Sequence, residues 1–445
     1  VAVFAVWLAG CGSQPAAWRP LRPSPPPEAA HPLRVSKDGR HLEDARGKPF
    51  LVVGDAAWSV ITALTKPEAE QYLEDRRRRG FNTILVNLIE HKFNGPRNRY
   101  GHLPFGNSSD FSQPNPEYFE HADWVLRKAA EKGFVVLLVP CYLGYAGTDE
   151  GWFDEVLANG VEKCKSYARY VAARYRNFEN LIWVLAGDRE PGRALPHVQA
   201  MAEVFQTEDS RRLRTAHLAP EVSTRDVFGN SSWVDFNLTY TYNLVHAMVL
   251  RDYYRTPLMP TLLIESHYEG EHGAKPDWIR RQAYAAVLNG AVGHVMGNRP
   301  VWLFDPGWQQ ALASPAAESM RNFGQFFAAL PWHTLVPDFS LVWDGQGNPR
   351  GQDSVSCARN PEGTLALIYL PRQRVLYVPA RRTFTVDTRT LTGDAIPAWW
   401  FDPRKALVAS AGSITRGERR KFETLTSDDW ILGLGKAPPV QESRQ

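Results

Sequence analysis

Between about residue 50 and residue 300 the chain repeats one rhythm eight times: a short, continuously apolar run followed by a longer segment. The apolar runs are "FLVVGDAAW" (50–58), "FNTILVNLI" (81–89), "FVVLLVP" (134–140), "NLIWVLAGD" (180–188), "RLRTAHL" (212–218), "WVDFNLTYTY" (233–242), "PTLLIES" (260–266) and "AVGHVMG" (291–297). Runs that are apolar on both faces belong to parallel strands covered by helices. The segments between them supply such helices. Pro67 opens and Gly80 closes "KPEAEQYLEDRRRRG", while Phe119, Ala122, Val125 and Leu126 recur at helical spacing before Gly133. Eight such units in series predict an α/β chain folded as a (β/α)8 TIM barrel over residues 33–332. An open doubly wound sheet would carry a glycine-rich phosphate loop after a strand, and none is present.

Beyond residue 333 the pattern changes. "SVSCARNPEGTLALIYLP", "RVLYVPARRTFTVDTRTLTG", "AIPAWWFDP" and "DWILGLG" alternate in short runs broken by Pro, Gly, Asp and Asn. That is the signature of a small antiparallel β-sandwich, assigned to residues 333–445. The other end of the chain reads differently again. "VAVFAVWLAGC" is apolar, ends in small residues before Cys11 and is followed by polar "GSQ", as a lipoprotein signal is. Residues 1–11 are therefore read as a signal remnant with Cys11 as the lipidated residue. The Pro-rich residues 12–32 are read as an extended spacer that builds neither helix nor sheet. No later stretch is long and apolar enough to span a bilayer. The expectation is an exported protein of the bacterial cell envelope, held to the membrane only by its lipid.

Composition narrows the partners. With 51 basic against 48 acidic residues nothing suggests nucleic acid. Fifteen Trp, 16 Tyr and 21 Phe offer flat surfaces for sugar rings as well as core. The remaining cysteines, Cys141, Cys164 and Cys357, are widely spaced without a CxxC, so they read as buried free thiols and not as a zinc site. His267 and His294 form no ligand pair, and neither metal nor cofactor is expected.

In a (β/α)8 barrel the active site lies at the carboxyl ends of the strands. The carboxylates there are Asp55 after the first, Asp188 after the fourth and Glu265 after the seventh; Asp235 is read inside the sixth. Asp188 and Glu265, some three βα units apart, face each other across the barrel mouth. Two carboxyls about 5 Å apart suit a retaining glycosidase, while ~6.5–9.5 Å leaves room for water and implies inversion. In the retaining case a charged Glu265 raises the pKa of Asp188 and keeps it an acid; once the sugar esterifies Glu265, Asp188 is free to act as base. Around this pair, Asp55 is read as a hold on sugar hydroxyls, in preference to a helix cap, with Trp58 as a stacking face. Asn87, His91, Tyr142, Tyr240, Tyr242, His267, Tyr268 and Trp302 complete the candidate binding residues. Glu269 is read as a partner of the site or of Arg281. Trp399 and Trp400 are read as packing residues more than as a glycan patch.

The runs "FLVVGDAAWSV", "YLEDRRRRGFNTILVN", "PNPEYFEHADWVLRKAAEKG", "ARYVAARYRNFENLIWVLAGD", "LLIESHYEG" and "NGAVGHVMGNRPVW" together resemble the apiosidase-like glycoside hydrolases, in order from about residue 33 to 435. The resemblance implies a (β/α)8 barrel with a C-terminal β-domain of the kind once labelled collagen-binding. It implies a retaining exo-glycosidase acting on polysaccharide side chains, apiose on pectin among them. By position it implies Asp188, closing the fourth strand, as acid/base and Glu265 as nucleophile, followed here by Tyr268, Glu269 and Gly270. Ala186 stands where family members often carry a second Gly, and Met296 where an aromatic or small polar residue is common. The competing expectation is a non-catalytic surface lipoprotein that binds glycan or collagen. The oligomeric state is not legible.

Overall fold

The structure, a computed structural model, describes residues 17–22, 29–106, 109–229, 231–375 and 378–441. Cys11 and the signal-like segment lie outside the described residues. Eight parallel strands form the barrel: β1 (Val52–Ala56), β2 (Thr83–Asn87), β3 (Val135–Val139), β4 (Leu181–Ala186), β5 (Arg214–His217), β6 (Asn237–Tyr240), β7 (Thr261–Glu265) and β8 (Ala291–Met296). Ladders run β6-β7-β8-β1-β2-β3-β4-β5. The gap between β5 and β6 is closed by single bonds, Asp235 N–H to Arg214 O (2.9 Å) and Thr215 Oγ1 to Phe236 O (2.7 Å). Every strand residue is buried, which is why these runs lack polar alternation.

The outer ring consists of α1 (Lys66–Arg78), α2 (Pro116–Glu131), α3 (Phe153–Arg174), α4 (Leu195–Glu208), α5 (Val245–Tyr253), α6 (Pro276–Leu288) and α7 (Pro315–Ala328). Helix α4 is not announced by the sequence pattern. Its Pro196 stands in the first turn, where the missing N–H costs no helical bond. Helix α3 is two helices joined at Gly160, whose φ of 72° a residue with a Cβ rarely adopts. Asp235 is corrected: it precedes β6 and pairs with Arg214 at 2.9 Å.

The C-terminal domain is an antiparallel sandwich. Its larger sheet orders Leu407–Thr415, Ala395–Asp402, Trp430–Gly435, Leu365–Leu370, Ser356–Arg359 and Val336–Pro337; the smaller holds Val342–Asp344, Thr383–Asp387 and Arg419–Glu423. Strand alternation sends Trp400 with Ile368 and Leu432 into the sandwich core, and Trp399 with Leu367 and Phe401 into the core shared with the barrel. Both tryptophans are buried, so they pack and offer no exposed aromatic patch. Phe401 stacks on Phe326 of α7 at 4.2 Å, and Tyr369 on Tyr284 of α6 at 5.4 Å. Arg280 of α6 makes a buried two-pronged pair with Asp429 at 2.7 and 2.6 Å. The sandwich thus braces the helices that follow β7 and β8.

The reading of residues 12–32 as a spacer without sheet is also corrected. Arg19–Pro20 pairs antiparallel with Leu407 and Val408, and Trp18 packs on Trp430 at 5.6 Å. An outer edge strand tolerates a proline because it has no outward ladder to break. Among the described residues no helix is long and apolar enough to cross a membrane. Cys141, Cys164 and Cys357 are buried free thiols.

Candidate active site

At the carboxyl end of the barrel, β4 ends in a run that few sequences adopt. Ala186, Gly187 and Asp188 all have positive φ, 63°, 127° and 48°. Left-handed backbone costs a residue with a Cβ about 1–2 kcal/mol, so the tip turns sharply at a price. Gly187 has no alternative: a Cβ there would lie 2.3 Å from Cδ2 of Tyr142. That contact is what lets the Tyr142 hydroxyl reach Asp188 Oδ2 at 2.6 Å. The same hydroxyl lies 3.0 Å from Oε1 of Glu150, in the loop after β3.

Glu265 ends β7 on the opposite side of the mouth. Between the two carboxylates stands His217, the last residue of β5 and fully buried. Its Nδ1 accepts the backbone N–H of Asp188 at 3.1 Å. That bond leaves the ring proton on Nε2, which lies 3.2 Å from Oε2 of Glu265. One oxygen of Asp188, one of Glu265 and a ring nitrogen of His217 all lie within 4.8 Å of one another. Such a trio has donors for a cation, but the tautomer set by the Asp188 N–H leaves the ring no free lone pair to offer one.

The electrostatics follow from burial. Desolvation pushes the Asp188 carboxyl well above the usual range, Glu265 adds to the rise, and His217 and the Tyr142 hydroxyl oppose it. Desolvation likewise raises Glu265, against the hydroxyls of Tyr268 and Tyr240. Burial keeps His217 neutral by lowering its pKa. Two raised, neighbouring carboxyls lose their protons as a pair. His217 lies against both carboxylates, with Nδ1 3.4 Å from Asp188 Oδ1 and Nε2 3.2 Å from Glu265 Oε2.

Residues 36–334 match the family model described as "Apiosidase-like, catalytic domain". The chain belongs to the apiosidase-like family. It is a glycoside hydrolase. Residues 336–435 match a model described as "Putative collagen-binding domain of a collagenase". A structure described as a glycoside hydrolase is 24% identical at TM-score 0.79, covering 94% of this chain and 98% of its own. A family 5 glycoside hydrolase from Bacteroides vulgatus is 22% identical at TM-score 0.79, covering 91% and 93%. A family 5 mannosidase from Rhizomucor miehei is 13% identical at TM-score 0.51, covering 67% and 97%. These likenesses concern the fold. A search of curated proteins finds no match.

The other candidate residues of this apiosidase-like barrel divide into three groups. Trp58, Tyr240 and Tyr268 join the carboxylate pair. The indole N–H of Trp58 donates to Tyr268 Oη at 3.1 Å, and its ring meets His217 edge-on at 5.7 Å. Trp58 is nearly fully buried and acts as a wall. Tyr240 stacks on His217 at 5.1 Å and donates to Tyr242 Oη at 2.9 Å.

A second group lies on the rim. Asn87 ends β2 with both side-chain amide atoms buried and without a partner among the described residues. His91 meets Glu155 at 2.6 Å, and Trp302 donates to Glu271 at 2.6 Å. His267 points away from the pair, with Nε2 2.9 Å from Tyr242 O.

The third group is structural. Asp55 is corrected from sugar holder to core residue: it is fully buried, accepts from Tyr72 Oη at 2.7 Å and pairs with Arg76 Nε at 3.2 Å, both from α1. Glu269 is likewise corrected. It pairs not with Arg281 but accepts from Asn298 at 2.6 Å and from Ala316 N–H at 3.2 Å, capping the start of α7. His217 and Glu150 were missed by the sequence reading. His217 carried a signal, since it ends the fifth apolar run and strand ends were the test applied. Glu150, in a long loop, carried none.

Proposed function

We propose that the protein is a retaining exo-glycoside hydrolase in which Asp188 is the acid/base and Glu265 the nucleophile. The observation that carries this reading is the oxygen-to-oxygen approach within 4.8 Å, bridged by His217. It matches the ~5 Å separation of a double displacement and leaves no room for the interposed water of inversion. Protonated Asp188 assists departure of the glycosidic oxygen while Glu265 attacks the anomeric carbon. That step leaves Asp188 ionised beside an ester that carries no charge, and the carboxylate takes a proton from the water that releases the sugar, which restores both groups. Trp58, Tyr240 and Tyr268 wall the site, and Asn87 has amide atoms to spend on hydroxyls. With the Asp188 and Glu265 side chains only 14% and 6% exposed, the reacting sugar fits best as a chain end. The family supports apiose on a pectin branch as the sugar removed, and the "LAGC" motif supports export and anchoring through Cys11.

The test compares wild type, Asp188→Ala and Glu265→Ala on aryl glycosides and apiose-bearing pectin oligosaccharides, with the first-formed anomer read by NMR. Both variants should lose roughly 10²–10⁴-fold in kcat on natural linkages. Asp188→Ala should keep cleaving aryl glycosides whose leaving group needs no proton, and azide should speed its turnover. Undiminished release in both variants, or an inverted first product, overturns the assignment.

A further inference from the structure

Where the chain leaves β7 a second recess opens, between α5, α6 and the sandwich, and none of the carboxylate pair or its donors lines it. Its outer part encloses about 600 Å³, within the ~300–1,000 Å³ of small-ligand pockets. At its inner end, where the crevice narrows to about 10 Å³, polar groups have nothing to bind. Ser266 Oγ, His267 Nδ1 and Gln282 Oε1 are buried without a partner among the described residues, and Ser266 and Gln282 are 1% and 2% exposed. Interior polar atoms are seldom left so, since each costs about 1–3 kcal/mol.

The charges are as telling. Arg281 of α6 has neither ion pair nor hydrogen bond among the described residues; its guanidinium sits 5.7 Å from the Trp278 ring. Across the recess Arg372, from the sandwich, has a buried Nε without a partner. Lys275 stands at the mouth. The carboxylates facing them are Asp277 and Asp353, and the latter lies 3.6 Å from Arg382. The recess therefore has cationic forks to spare, an aromatic ring and an orphaned imidazole nitrogen.

We infer that this recess is a second saccharide site, built jointly by barrel and sandwich, that takes a uronic acid residue. Guanidinium forks match a planar carboxylate bidentately. Trp278 offers its ring to the sugar's C–H face, and His267, whose Nδ1 is without a partner among the described residues, suits a ring hydroxyl, which a bare inorganic anion would leave unused. One arginine comes from each domain, so the site exists only when the two are docked. The inference rests on the chain being a glycoside hydrolase and on nothing about which bond it cuts.

The experiment is calorimetric titration of the full chain bearing Glu265→Gln with a galacturonic acid trimer, its carboxyl-reduced neutral counterpart and sulfate. The trimer should bind at least tenfold more tightly than the reduced form. Arg281→Gln with Arg372→Gln should abolish that preference, while the single exposed change Lys275→Gln, which leaves packing untouched, should weaken trimer binding several-fold. Equal affinity for trimer and reduced form, trimer binding unmoved by these changes, or sulfate displacing the trimer mole for mole would overturn it. Binding is read separately from turnover, so failure of the hydrolysis assay leaves this result standing, and the reverse holds too.

Discussion

Gly187→Ala tests how the acid is positioned. A Cβ at residue 187 would stand 2.3 Å from Cδ2, 2.8 Å from Cε2 and 3.3 Å from Cγ of Tyr142. Carbon atoms rest at about 3.5–4.0 Å, so ring and backbone must part by more than about 1 Å. The ring has little room to yield, because Phe93 stacks on it at 4.9 Å and Trp58 lies 5.6 Å away. The Asp188 backbone therefore moves, and the 2.6 Å bond between Tyr142 and Asp188 opens. Misplacing a catalytic group by 1 Å costs on the order of 10² in rate. The expected result on an aryl glycoside that wild type cleaves is a kcat lowered about 10²-fold with KM little changed. Overpacking should also remove about 1–3 kcal/mol of stability, seen as a lower melting temperature. Ala186→Gly is the matched control. It relieves left-handed strain of about 1–2 kcal/mol and forfeits part of that to the freer unfolded chain, so it should stabilise slightly and leave kcat alone. Wild-type kcat and melting in Gly187→Ala would refute the coupling of Gly187, Tyr142 and Asp188.

Tyr142→Phe removes a bond that favours ionised Asp188, so the acid's pKa rises and the basic limb of the kcat/KM–pH profile should move up. Tyr268→Phe removes one that favours ionised Glu265, so the acidic limb should move up instead; a profile unmoved in both would contradict the division of roles. His217→Phe keeps the stacked ring but removes both nitrogens, and kcat/KM should fall on the order of 10²-fold, as for loss of one preorganised donor. Arg76→Ala leaves Asp55 buried with Tyr72 alone and should cost about 3–5 kcal/mol in urea unfolding, with the activity of the folded fraction unchanged. A loss of activity beyond the loss of folded protein would return Asp55 to the site.

The barrel was legible because each strand is buried on both faces, and only a continuous apolar run satisfies that. Asp188 and Glu265 were legible for a related reason: the runs "NLIWVLAGD" and "PTLLIES" turn polar where the sheet ends. The same rule failed at Asp55. It reads where a strand stops but not what packs over the stop, and here α1 lays Tyr72 and Arg76 across it. Glu269 failed similarly, its partner being the start of a helix more than forty residues on. His217 escaped because the test was for carboxylates, and the groove residues Arg281 and Arg372 because no sequence pattern shows that an arginine lacks a partner.

One further question is why β4 bears its strain without fraying. The tip is held from both sides. Leu143 N–H, on the β3 side, donates to Ala186 O at 3.3 Å, and Gly187 N–H donates to His217 O at 2.8 Å on the β5 side. Asp188 N–H then takes His217 Nδ1 at 3.1 Å. Three consecutive left-handed residues are thus tied to the ends of both neighbouring strands, so the sharp turn is imposed by the barrel and not by local preference. The tie to His217 does two things at once: it fixes the Asp188 backbone and sets the tautomer that leaves the ring proton on Nε2, 3.2 Å from Glu265 Oε2. A strand that ended in relaxed conformation would carry its carboxylate outward along the strand direction. At the left-handed tip an Asp188 oxygen instead lies within 4.8 Å of one of Glu265.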